Sequence, residues 1–375
     1  MKLGVIGYGS RIRHMINEII KLDPSCHVAG IIDPREDVQF SGGQPIPVFS
    51  SINEMVEAIH PDGLLIGTRC SLHTSYALEA IPTGIPLYLE KPVSTTMEDW
   101  DRLRLCNERY TPEVVVSHPL RLTSIVQLAK QIVDSGQIGT IEHVQAINNV
   151  PYGGVYYHSW YRDEAETGGL FLQKATHDFD YLNFVINQQP ISISAMSSKQ
   201  VFKGDKPAGL TCLACEENRT CAESTVGTPM QEDWRYCCFA KDTGNEDSGS
   251  ALIRYENGMH ASYSQNFFAR RGAAARGARF LGYKGTVDFD FTTGLLRVHN
   301  HHTPRVDSYQ FEGDDSHFGG DAKLAANFLS IMRGQSESVS TLTDGLLSAF
   351  MCLKAKQSAE TETFQKLDIR NWQEV

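Results

Sequence analysis

The sequence predicts an α/β protein of two domains: an N-terminal doubly wound parallel sheet, then a domain of antiparallel strands and closing helices. Three observations carry this. The 375 residues exceed one ordinary core and supply apolar side chains for two. Up to about residue 120, short apolar runs alternate with helical stretches in the rhythm of βαβ units. Beyond residue 250, short alternating runs are separated by turns such as Glu256-Asn257-Gly258 and Lys284-Gly285, the pattern of an antiparallel sheet with one exposed or paired face.

The first run, Lys2 to Ile6, reads as a strand buried on both faces and ends in Gly7-Tyr8-Gly9-Ser10-Arg11-Ile12. These are the first two glycines of a dinucleotide fingerprint. Gly7 allows a tight turn, Gly9 lets the backbone approach a pyrophosphate, and the helix opening near Ser10 and Arg11 favours its charge. Ile12 stands where the third glycine belongs, so that helix must pack differently on the strand. A second run, His27 to Ile32, leads to Asp33, placed to accept hydrogen bonds from ribose hydroxyls. Asp33 favours NAD, and Arg35 keeps NADP open. Gly63 to Gly67 is the third strand, followed by a helix over about Leu72 to Ile81. The loop from Thr68 to His73 would lie over the cofactor, with His73 as a packing or capping group at the helix start. Ile85 to Leu89 then runs into Glu90-Lys91-Pro92. A strand ending there places Lys91 at the crevice where open α/β sheets bind ligands, and lysine suits that place because partial burial tunes its pKa. A helix over Met97 to Asn107 and a strand over Glu113 to Val116 complete the domain, and Ser117 to Arg121 form the crossing point.

Composition narrows the function. Lys plus Arg number 34 against 45 Asp plus Glu, a net charge of −11 that argues against a nucleic-acid surface. No run approaches the ~18 apolar residues of a membrane span, and the first residues lack a secretory leader pattern, so a cytoplasmic location is expected. Nine cysteines in such a chain do not suggest a disulfide framework.

Several segments together resemble the Gfo/Idh/MocA oxidoreductases, the relatives of glucose–fructose oxidoreductase and inositol dehydrogenase. They are Gly7-x-Gly9 after the first strand, Glu90-Lys91-Pro92 after a later one, and Gly168-Gly169 followed by His177-Asp178-Phe179-Asp180. Asp134 to Gly139 and His317-Phe318-Gly319-Gly320-Asp321 extend the resemblance over essentially the whole chain. It implies a nicotinamide-binding Rossmann domain over residues 1–121, whose cofactor contacts include Thr68, His73, Glu90 and Lys91. It also implies an α+β domain over residues 122–375 with an open, mostly antiparallel sheet that serves a homodimer or homotetramer. Lys91 and His177 then face the substrate. Oxidising a secondary hydroxyl moves a hydride to the nicotinamide while the hydroxyl loses a proton, which suits a neutral imidazole beside an ammonium. Gln173 stands one turn before His177, where dehydrogenases of this family usually carry Asp. An amide can orient groups but cannot raise the imidazole's basicity. This departure leaves two alternatives to net oxidation open: redox-assisted glycoside cleavage with transient use of bound NAD, and a cofactor-binding regulator without enzymatic activity.

The stretch from Pro151 to Arg162 is strongly aromatic. Flat rings such as Tyr157 and Trp160 cover the apolar faces of sugars while His158 and Arg162 meet hydroxyls, making carbohydrate the expected substrate. The alternative is aromatic packing into the domain interface. His118, Arg121 and Asp180 are further candidates for the same cleft. An insertion near 203–247 holds five of the cysteines, of which Cys212, Cys215, Cys221 and Cys238 could supply four thiolates for a structural zinc, the alternative being free or redox-paired thiols. The basic loop from Arg270 to Arg276 reads as a solvated turn, the alternative being that it reaches anionic groups of a substrate.

Overall fold

The computed structural model describes residues 1–35, 45–227, 234–312 and 317–368, so residues 228–233 of the expected insertion lie outside the described residues. Five parallel strands, β1 (Lys2–Ile6), β2 (His27–Ile32), β3 (Gly63–Ile66), β4 (Leu87–Leu89) and β5 (Val114–Val116), form a sheet in the order β2-β1-β3-β4-β5. Helices α1 (Ser10–Leu22), α2 (Ile52–Ile59), α3 (His73–Ala80) and α4 (Met97–Tyr110) connect them. β3, β4 and β5 are buried throughout, which is why they read as apolar runs without alternation. The fourth helix runs three residues past the expected Asn107, to a Thr111 cap in the left-handed region.

The second sheet has nine strands: β6 (Ile141–Asn149), β7 (Pro190–Ser198), β8 (Ser248–Tyr255), β9 (His260–Asn266), β10 (Ala275–Gly282), β11 (Gly285–Asp290), β12 (Leu295–Asn300), β13 (Val306–Gln310) and β14 (Gln365–Lys366). Their order is β13-β12-β11-β10-β6-β9-β8-β7-β14, and every pairing is antiparallel except β6 with β9. β7, β13 and β14 were not anticipated. β7 opens on a proline and carries Ser192, Ser194 and Ser198 around Met196 on its outer face, and β13 is almost wholly exposed, so neither gives a clear strand signal. Helices α5 (Ser124–Asp134), α6 (Val155–His158), α7 (Glu164–Thr167), α8 (Leu170–Ile186), α9 (Gly320–Met332) and α10 (Leu342–Thr361) complete the chain.

Ile125 of α5, Phe179 of α8 and Leu346 of α10 share one core with Val144, Ala261 and Phe280 of the large sheet. The opposite face is open and carries the exposed Ile147, Met196 and Leu252. α9 returns to the first sheet, where Leu324 and Phe328 pack with Leu3, Val5 and Tyr88. The long buried helix α8 therefore runs alongside the carboxyl end of β4, and this places the site.

Candidate active site

The turn after β1 is built for a close-fitting ligand. Gly7 has φ +80°, and a Cβ there would stand 2.8 Å from the Thr68 backbone. Gly9 precedes α1 with no side-chain cap, so the first-turn N–H groups around Ser10 are free for an anion. The missing third glycine has a counterpart across the sheet: a Cβ on Gly67 would lie 2.8 Å from Ile12 Cβ, so glycine at the end of β3 makes the room that Ile12 takes. Asp33 sits at the end of β2, accepting the Tyr8 N–H at 2.7 Å and the Arg35 guanidinium at 2.8 Å. Turn, open helix start and acidic residue together fit a dinucleotide.

Two residues expected at the cofactor are engaged elsewhere. Arg11 donates to Glu90 at 3.0 Å, to Ser117 at 3.1 Å and to both oxygens of Asp321. This buried bridge ties α1 to α9 and holds the Asp321 carboxyl well below its usual range despite its burial. His73 opens α3 with its ring nitrogens 2.8 Å from the Pro92 carbonyl and 3.3 Å from that of Thr68, bracing the two loops that flank the crevice.

Lys91 leaves the end of β4 and is half-buried. Its ammonium donates to the Gln173 carbonyl at 2.9 Å and to the Gln173 side-chain oxygen. The Gln173 amide in turn donates to Cys70 Sγ at 2.7 Å. An amide satisfies both neighbours because it accepts on one side and donates on the other, which a carboxylate cannot do. Burial lowers the Lys91 ammonium to about 8, with Lys174 contributing repulsion. His177 lies one turn after Gln173 on α8, so both occupy one face. Burial holds its imidazole well below the ordinary value, reinforced by the charge of Lys91 and then Arg276. It is therefore neutral at neutral pH. The His118 and His317 rings flank it, each centroid 5.9 Å away.

The remaining candidates separate into two groups. His118, Arg121 and Asp180 form a closed network behind His177: Asp180 lies 2.9 Å from both His118 Nδ1 and Arg121 Nε, and Arg121 also reaches Asp344 at 3.0 Å. Tyr157, His158 and Arg162 turn into the insertion. The Tyr157 hydroxyl donates to the Glu246 carbonyl at 2.6 Å and its ring packs on Phe202, His158 lies 2.6 Å from the Tyr236 carbonyl, and Arg162 pairs with Asp242 at 2.5 Å. These three are engaged with the insertion, and neither lie open to a ligand nor pack into the interface between the domains. Trp160 stays at the crevice, stacked between Tyr161 and the Arg69 guanidinium. Two further residues neighbour the site. Arg276 lies on β10, buried against Asp178 at 2.8 Å, and not in a solvated turn. Lys174 donates to the Tyr152 hydroxyl at 3.0 Å. The signal for Lys174 was its place beside Gln173 on an otherwise apolar helix.

The zinc expectation is corrected. Cys212, Cys215, Cys221 and Cys238 do line one small cavity, together with Cys237 and His158, but they are free thiols there. Among the described residues, no group of three or more His, Cys, Asp or Glu side chains is arranged to hold a metal ion.

A dinucleotide cradle joined to a half-buried lysine and a buried histidine is an arrangement suited to nicotinamide chemistry. Family models agree: residues 1–118 match the oxidoreductase family with an NAD-binding Rossmann fold, and residues 126–288 match the Gfo/Idh/MocA C-terminal domain. The chain belongs to the Gfo/Idh/MocA family. Similar proteins include YteT of Bacillus subtilis strain 168, 24% identical over 69% of this chain and 65% of that protein. Inositol 2-dehydrogenase of Corynebacterium glutamicum is 21% identical over 73% of this chain and 82% of its own length. The matches span half to two thirds of the length of the first three curated relatives. Among solved structures, a levoglucosan dehydrogenase in complex with NADH and levoglucosan superposes with TM-score 0.77 at 16% identity, covering 98% of this chain and 99% of that one. The comparisons lend no support to glycoside cleavage or to a regulator without activity. Among the described residues, no helix is long and apolar enough to cross a membrane.

Proposed function

We propose that this protein is an NAD-dependent oxidoreductase acting on a secondary hydroxyl of a small carbohydrate, a sugar or a polyol. The observation that carries the reading is the convergence of Lys91, Gln173 and His177 at the carboxyl end of β4, beside the turn that fits a dinucleotide. A bound nicotinamide would supply hydride chemistry, and the protein's part is to hold the alcohol and manage its proton. The Lys91 ammonium, held by Gln173, stabilises the oxygen as negative charge develops on it. Neutral His177 hydrogen-bonds the hydroxyl and fixes its direction. Trp160 and Tyr156 offer flat apolar surface for a sugar ring. Asp33, already accepting hydrogen bonds at the ribose position, favours NAD over NADP, and Arg35 is turned onto Asp33 itself. Sugar and polyol dehydrogenases among the relatives support the same substrate class.

The test is a panel of free sugars, polyols and glycosides incubated with NAD and read for NADH and for released aglycone, with the association state of the same preparation measured by light scattering. NADH from a polyol or sugar without aglycone release is expected, from a dimer or tetramer joined through the open sheet face. Aglycone release with no net NADH would contradict the reading.

A further inference from the structure

In the reading above Lys91 stays an ammonium, donating to both Gln173 oxygens and stabilising the substrate oxygen, so the proton that leaves the alcohol needs another destination. An imidazolium at His177 would lie among the charges of Lys91 and Arg276 and the rings of His118 and His317. Within the same site stands another arrangement. Lys174, adjacent to Gln173 on α8, is 8% exposed, and among the described residues no carboxylate lies within ion-pair distance of it. Its ammonium donates to the Tyr152 hydroxyl at 3.0 Å and lies 4.8 Å and 4.9 Å from the centroids of the Tyr152 and Tyr156 rings. Tyr152 is 52% exposed, while its oxygen meets the buried Lys174 charge.

We propose that Tyr152, held by Lys174, is the group that receives the hydroxyl proton. This rests on the oxidoreductase reading above. In balance, the alcohol C–H leaves as hydride to the oxidised nicotinamide, the O–H proton passes to the Tyr152 oxygen, and a C=O bond forms. A tyrosinate is the anion this cluster lacks. Facing Tyr152 are Lys174 from α8, Arg276 from β10, Lys91 from the loop after β4 and the Tyr156 phenol from α6. The Lys174 charge is the largest influence and, with Arg276 and Lys91, brings the Tyr152 phenol down to about 8 against the opposing effect of burial. A phenol near that value passes a proton at neutral to mildly alkaline pH, where an ordinary tyrosine would not. The Gln173 departure fits this scheme, since an added carboxylate would neutralise the cations that keep Tyr152 acidic.

Two readouts test it. The ultraviolet absorbance of tyrosinate, followed against pH with no substrate present, should show one tyrosine ionising near pH 8. That step should vanish in Tyr152→Phe, move upward by about one unit or more in Lys174→Met, and return in Lys174→Arg. With an alcohol found active in the panel, Tyr152→Phe should lower kcat by about 10²- to 10⁴-fold, the range of general base catalysis, with KM and NADH binding little changed. The conservative Lys174→Arg should recover most of the rate lost in Lys174→Met. A Tyr152→Phe enzyme with wild-type kcat, or no tyrosine ionising near pH 8, overturns the assignment of Tyr152 while leaving the oxidoreductase reading standing. A wild-type protein that binds NADH yet oxidises no member of the panel overturns that reading and this proposal with it.

Discussion

Single charges set what this crevice can do. Burial brings Lys91 down to about 8 and the Lys174 charge, against burial, brings Tyr152 down to about 8, so the site can hold an ammonium and a phenolate side by side near that pH. Asp321 is the opposite case, a carboxylate kept ionised by Arg11 and His317. Its folded pKa lies below its unfolded one, so its contribution to stability is complete above the ordinary carboxylate range and fades as pH falls below about 4. Asp321→Asn should therefore cost about 2 kcal/mol at pH 7 in urea unfolding, reduced from the cost of breaking a fully buried pair because Arg11 is partly exposed. The difference from wild type should shrink on acidification. Of these residues Lys91, Gln173 and His177 were legible in the sequence, since each stands in a short motif at an element end or one helical turn from another. Tyr152 and Lys174 were not paired, because the contact joins a loop to a helix 22 residues on and depends on how the loop folds back.

At the scale of elements, the βαβ rhythm gave the first sheet almost completely, because strands buried on both faces write themselves as apolar runs. β6 alternates buried and exposed positions from Val144 to Asn148, the pattern of a strand with one face on the core. β7 escaped because its open face carries Ser192, Ser194 and Ser198 with the apolar Met196 among them, which blurs that alternation. The most telling element contact is α1 against β3. The fingerprint glycine has been relocated, with Ile12 on the helix answered by Gly67 on the strand. Gly67→Ala should destabilise the protein by about 1–3 kcal/mol through overpacking and weaken NADH binding, and adding Ile12→Ala should recover part of both losses, as thermal unfolding with and without NADH would show. A Gly67→Ala protein as stable as wild type would mean that the helix is not held this closely.

The whole molecule places its chemistry between two sheets of different character. The parallel sheet offers the free backbone of its strand ends, and the large sheet supplies α8 and Arg276, with α9 returning to lock the two together through Arg11 and Asp321. The open face of the large sheet, with Met196 and Leu252 exposed, lies on the other side from the helices. The account as a whole claims that Lys91 lies where a hydride leaves a secondary alcohol. The direct test is label transfer: an alcohol from the panel, deuterated at the reacting carbon, is incubated with NAD, and the reduced cofactor is weighed by mass spectrometry. Deuterium on the nicotinamide is expected with the wild type, and at a rate about 10²-fold or more lower in Lys91→Met, which should still bind NADH. Label transfer at the wild-type rate by Lys91→Met, or none by a wild type that binds NADH, would contradict it.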